Sequence, residues 1–200
     1  INYAKLRYHK IIVMTDADCI VPKNWIQEIT KPIICDGEDA TMGFEKDLIN
    51  NYWTRNIQKA NWKFFERSRR GKYINDLDTK NFAIKTSLMK KLMFDPAMEN
   101  MEDVELAVRL RKVLNIRFVP SIMVGHEHKS SLLDVIRLNV DRAYWVTKVF
   151  KKHKKHFYSI DTLMVKSISI RNLLLFPFWI TFQFIKRPID EAFFILVSEV

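Results

Sequence analysis

Three short segments place ionisable residues where they could do chemistry. Asp16 and Asp18 stand one residue apart at the end of the apolar run Ile11–Thr15. Two carboxylates there offer hard oxygen ligands for Mg²⁺ or Mn²⁺ and, through the ion, for a phosphate. The plainer reading makes them turn and cap residues ahead of a helix near Pro22. Asn100-Met101-Glu102-Asp103 opens an amphipathic stretch. Asp103 is a candidate general base, able to take a hydroxyl proton. Against this, Asn100 is a candidate N-cap, Asn100-x-x-Asp103 approaches a capping box, and the helix dipole favours carboxylates at that end. His126 and His128 sit two apart at the end of an apolar strand pattern. Both rings would then point one way as candidate metal ligands, with Glu127 facing the other side. A histidine pair at a strand end is also common as surface polar structure.

The elements that must carry these groups alternate. Ile11–Thr15 is continuous and apolar, as in a buried parallel strand, and Trp25, Ile26 and Ile29 supply a helical face after it. Tyr52–Phe65 reads as helix, Ser68–Tyr73 as a basic turn, Asn81–Ile84 as a short strand followed by helix through Lys91. Glu102–Leu114 is the clearest helix, with Leu106, Leu110, Val113 and Leu114 on one face and Asn115 ending it. Ile116–Val119 and Ile122–Val124 are strand-like on either side of Pro120. Beyond Ser130 an amphipathic helix carries Leu133, Ile136, Val140 and Tyr144. Strand–helix alternation before residue 130 predicts an α/β layer arrangement.

Composition sets the bounds. At 200 residues with 48% hydrophobic and 12% aromatic side chains, the chain can bury a sizeable core. The net charge of +10 points to acidic partners: nucleic acid, phosphorylated substrates or anionic lipid. Two cysteines, Cys19 and Cys35, are too few for a disulfide framework and fit a reducing compartment. The opening residues read like the end of a helix, which predicts a piece of a longer protein.

Taken in order, strand–Asp16-x-Asp18, "DTKNFAIK", Glu102-Asp103 opening a helix, Arg109, and strand–"VGHEH" resemble the family 2 glycosyltransferases with the GT-A fold, over residues ~8 to ~135. The resemblance implies a partial GT-A, Rossmann-like α/β fold in residues 1–130, the C-terminal part of a catalytic domain, followed by C-terminal helices. It implies that Asp16 and Asp18 bind the metal and diphosphate of a nucleotide-sugar donor, Asp18 more directly, with His126 completing a Mg²⁺ or Mn²⁺ site. Thr79 and Asn81, with Arg109, would bind substrate. In the Glu102-Asp103 pair, Asp103 would be the base, giving inversion at the anomeric carbon. The resemblance also implies that the nucleoside-binding loops lie upstream, so these residues alone are expected to bind a nucleoside diphosphate poorly. The Gln-x-x-Arg-Trp signature of processive synthases is replaced by "NVDRAYW", with Arg142 and Trp145, which points to single-sugar transfer.

Residues 131–200 are expected to form a helical, membrane-associated segment. Asn172–Ile185 is uncharged and rich in Phe and Leu, but too short for an ordinary span of ~20 apolar residues and interrupted by Pro177. An interfacial or re-entrant segment on the cytoplasmic face of the cell membrane is expected, next to a glycan or lipid-linked acceptor in cell-envelope glycan synthesis. A buried helix over the sheet is the alternative. The rival functional class is a non-catalytic basic protein that binds nucleic acid or membrane through Lys151, Lys152, Lys154 and Lys155, or an inactive transferase fragment. No helix-turn-helix, zinc-finger or RNA-binding signature accompanies those lysines, so nucleic acid is not the expected partner.

Overall fold

The computed structural model describes residues 10–128 and 131–153. Six strands, β1 (Ile11–Met14), β2 (Ala40–Asp47), β3 (Arg69–Arg70), β4 (Tyr73–Ile74), β5 (Phe82–Lys85) and β6 (Ile116–His126), form one mixed sheet in the order β1-β5-β2-β6-β4-β3. Among the described residues five α-helices accompany them: α1 (Trp25–Cys35), α2 (Tyr52–Ser68), α3 (Thr86–Leu92), α4 (Glu102–Leu110) and α5 (Leu132–Lys152). The architecture is α/β, as expected, and compatible with a Rossmann-like arrangement. The apolar segment Asn172–Ile185 and the expectations attached to it lie outside the described residues.

Strand direction decides where chemistry can sit. β5 runs antiparallel to both β1 and β2, while β2 and β6 are parallel. So β1, β2 and β6 all end at one edge of the sheet, and β5 begins there. Both faces of the sheet are covered. Met42, Phe44, Phe82 and Ile84 pack with Leu106 and Leu110 of α4 and Met89 of α3. On the other face Trp25, Ile29 and Ile33 of α1, spaced at i, i+4 and i+8, pack on Ala83, Ile122 and Val124.

Sequence patterning isolated neither β2 nor the short strands β3 and β4, which flank the tip of the basic turn expected over Ser68–Tyr73. Ala40, Met42 and Phe44 feed one cluster, while Thr41, Gly43 and Glu45 alternate with them as small or polar residues and are buried too. Gly43 leaves room for the Asn81 side chain: a Cβ there would overlap the Asn81 amide and the Ile122 carbonyl. Asn81 fills that space. Its Nδ2 donates to the carbonyls of Phe44 and Ile122 at 2.9 and 2.8 Å, and its Oδ1 accepts from Trp25 Nε1 at 2.9 Å. One amide thus ties β2, β6 and α1 together. Asn81→Ala leaves two buried carbonyls and an indole N–H without partners, a cost of about 3 kcal/mol or more. Urea unfolding is expected to show that loss, and an unchanged midpoint would deny the residue this bridging role.

Three boundaries differ from the sequence expectation, each for a local reason. Pro120 does not divide two strands. It lies in a register shift where Met42 pairs with Phe118 and Phe44 with Met123, so β6 bulges there and no ladder N–H is needed from proline. The helix expected over Glu102–Leu114 ends at Leu110 and continues as turn, which leaves Val113 58% exposed instead of on the buried face. Asn100 is not the cap of α4. Met101 holds that position in the left-handed region (φ 57°) without a side-chain cap, while Asn100 Nδ2 donates to Asp141 of α5 at 2.5 Å.

A second charged node joins α4 to α5. Glu105, fully buried, accepts from Arg109, from Lys152 Nζ at 2.7 Å and pairs with His153 Nε2 at 2.8 Å. Burial alone would raise its pKa, but these partners win and hold it at about 2. With Trp145 and Val149 buried along the same helix, α5 is docked on the α/β body.

Candidate functional site

The common edge of β1, β2, β5 and β6 gathers the ionisable residues. The loop after β1 carries Asp16 and Asp18. It is held over the end of β6 by two hydrogen bonds between Ile20 and Gly125, at 2.8 and 2.7 Å. That bracket explains why Asp18 Oδ2 lies 3.6 Å from His126 Nε2. In open α/β sheets the carboxyl ends of parallel strands are where ligands bind, because the loops there are free to vary on a rigid base.

The candidate metal centre is Glu45, His126 and His128, each offering one ligand atom within 4.8 Å of the others. Glu45 Oε2 lies 3.6 Å from His126 Nδ1, and Glu45 Oε1 lies 3.4 Å from His128 Nε2. Glu45 is 3% exposed, yet its Oε2, with His126 Nδ1 and His128 Nε2, has no hydrogen-bond partner. Buried polar atoms are ordinarily satisfied, and three orphans facing one another fit a cation. Burial lowers the pKa of His128, which keeps its ring in the neutral, ligating form. Two imidazoles with a carboxylate suit Mn²⁺ or Zn²⁺ better than Mg²⁺, which favours an all-oxygen shell. Asp18, 68% exposed at its side chain, stands at the open side of this group.

Glu45 is fixed from behind. Asn61 of α2 donates to its Oε1 at 2.5 Å, and Gln58 Nε2 donates to its backbone carbonyl at 2.8 Å. Lys80 lies between Glu45 Oε2 at 3.5 Å and Asp78 Oδ1 at 3.0 Å. Burial would lower the lysine pKa, but Asp78 and Glu45 outweigh it and raise it, so the ammonium stays charged. Asp16 sits in the same field. Its pKa is raised by burial first, then by Asp78 and Asp18, against the pull of Lys80 and His126.

Asp103 approaches this group from the first turn of α4. Burial, then the charges of Asp78 and Glu102, push its pKa up to about 7, with Lys80 opposing. Its Oδ1 accepts from the Val104 N–H at 2.7 Å. With the left-handed Met101 ahead of it, the carboxyl is not a helix cap. It is a partly buried carboxyl whose raised pKa would suit a general base near neutral pH.

The other expected site residues divide. Thr79 lies in the 3-10 turn Thr79–Asn81 next to Lys80, and Glu102 adds negative charge beside Asp103. Asn81 is at the site but 1% exposed, with its amide taken by the three internal bonds above, which tie the strands together. Arg109 is engaged by α3 and α4. Its guanidinium donates to Glu105 and to the Leu92 and Met93 carbonyls, closing the end of α3. Glu45, Asp78 and Lys80 were not singled out from sequence. The cue for Glu45 is that β2 ends Glu45-Lys46-Asp47, a charged strand end like the one that drew attention to Asp16.

No protein-family model matches the chain, and no curated protein matches it.

Proposed function

We propose that this chain is the acceptor-side and metal-binding part of a glycosyltransferase that moves a sugar from a nucleoside diphosphate to an acceptor hydroxyl with inversion. One observation carries the reading: Asp18, Glu45 and His126, from three different strand ends, converge with a carboxylate of raised pKa on α4. A divalent cation held by Glu45, His126 and His128 would supply Lewis-acid stabilisation of a diphosphate leaving group.

The protein residues divide the rest of the work. Asp103 accepts the acceptor hydroxyl proton as that oxygen bonds to the anomeric carbon. The bond from that carbon to the diphosphate breaks, and its electron pair leaves with the nucleoside diphosphate. Lys80 keeps a fixed positive charge in the anionic cluster, where it screens a phosphate from Asp78 and Glu45. Burial, with the charges of Asp78 and Glu102, holds the pKa of Asp103 near neutrality, so that it is both ionised enough to act and basic enough to keep the proton. Asn81 and the Ile20–Gly125 bracket keep the strand ends in register.

The test uses full-length protein with Mn²⁺ and a panel of nucleoside-diphosphate sugars, following nucleoside diphosphate release by chromatography. Release from one or a few donors, raised by a glycan or lipid-linked acceptor, is expected. No release from any donor, with the fold intact, would overturn the reading.

A further inference from the structure

We infer that the outer face of α5 is a docking surface for an anionic lipid bilayer. The helix has two unlike sides. One carries Trp145 and Val149, 7% and 1% exposed, and is docked on the α/β body. The other carries Leu133, Val140 and Tyr144, which stand 65%, 67% and 58% exposed. At 100° per residue these three share an arc of about 80° with Arg137, Lys148 and Lys151. A helix that merely closes a domain needs a single apolar stripe. Here a second one lies in solvent.

Its chemistry identifies the occupant. Arg137 is 79% exposed at its side chain, and Lys148 lies over the rings of Tyr144 and Trp145 at 4.7 and 3.9 Å. Apolar residues flanked by long cations, with a tyrosine among them, form the pattern of a helix lying in the head-group region. Of the two acids of α5, Asp134 pairs with Arg137, and Lys148 and Lys151 keep the stripe net positive. Asp134 accepts from Ser131 Oγ at 2.6 Å and is 3.9 Å from Arg137, while Asp141 accepts from Asn100. The chain's own remainder is a poor match in charge, because residues 154–200 hold six Lys and Arg against four Asp and Glu. An anionic surface complements the stripe, and each cation near such a surface contributes about 1 kcal/mol.

The inference rests on α5 alone and not on the cleft, so it and the transferase reading fail separately. The test is sedimentation of the full chain with phosphatidylcholine vesicles, with and without phosphatidylserine. Three proteins are compared: wild type, Val140→Glu/Tyr144→Glu and Arg137→Glu/Lys148→Glu. The wild type is expected to bind only the anionic vesicles, and each double variant about tenfold more weakly, with thermal unfolding unchanged. Equal binding with and without phosphatidylserine, or none with either, overturns the proposal. Undiminished binding of both variants also overturns it, by placing the contact beyond residue 153. A lowered unfolding temperature in Val140→Glu/Tyr144→Glu would show that the protein itself covers the stripe, and would overturn it as well.

Discussion

Asp103→Asn is expected to reduce sugar transfer by about 10²–10⁴-fold while leaving donor and metal binding near wild type. In the proposed reaction the carboxyl would take a proton from the acceptor, and it lies outside the Glu45, His126 and His128 group, so binding of the donor should not depend on it. Because its pKa stands at about 7, wild-type transfer should rise with pH through neutrality as the base ionises. The residual activity of Asp103→Asn should lack that limb. A variant that keeps near-native turnover, or keeps the limb, would remove Asp103 from the mechanism.

The same carboxyl leaves a mark on stability. Its folded-state pKa is raised above the value of about 3.9 in an unfolded chain, so the folded state holds the proton more tightly. The resulting stability is complete below that value and is lost as pH rises to about 7. Asp103→Asn escapes this loss and should gain on the wild type between pH ~4 and ~8. The gain is about 2 kcal/mol, roughly half of the full linkage value because the side chain is partly exposed. Denaturation at the two pH values reads it directly. A mutation that stabilises the fold and removes activity distinguishes a functional carboxylate from a capping one, whose loss would destabilise.

Sequence made some of this site visible and hid the rest for physical reasons. Asp16 and Asp18 stood out because an uninterrupted apolar strand leads into them. His126 and His128 stood out through spacing, since a period of two puts both rings on one side, and their centroids lie 5.3 Å apart. Glu45 was hidden because β2, written Ala-Thr-Met-Gly-Phe-Glu-Lys-Asp, lacks the β-branched run that marks a buried strand. Its burial comes from neighbours on both sides, a tertiary fact that no local pattern encodes. Arg109 is the opposite case. Helical periodicity places it one turn beyond Glu105, but gives no hint that Glu105 would be buried and take that guanidinium as its partner. Asn100 has the residue type of a cap for α4, but the bond it makes, to Asp141, lies 41 residues away and leaves no local trace.

The candidate metal centre gives the sharpest separation between the two views. If the Asp-x-Asp were the principal ligand set, Asp18→Ala would lose the cation and Glu45→Gln would hardly matter. The geometry orders them the other way. Glu45 is buried at 3% exposure with an orphaned oxygen facing two orphaned imidazole nitrogens, while the Asp18 side chain is 68% exposed and reaches the group only through a 3.6 Å approach to His126. Solvent competes with an exposed carboxylate for the ion, whereas a buried one is shielded from that competition. Glu45→Gln, His126→Ala and His128→Ala are therefore each expected to weaken Mn²⁺ or Zn²⁺ binding by at least about 100-fold, above the range seen for outer-shell partners. Asp18→Ala should weaken it by about tenfold or less, and Asp16→Ala still less. Glu45→Gln keeps the shape of the side chain and its bond to Asn61, so a loss there reports charge and ligation instead of packing. Calorimetric titration of each variant with the metal alone, without nucleotide, gives the order. An undisturbed affinity in Glu45→Gln would return the site to Asp16 and Asp18.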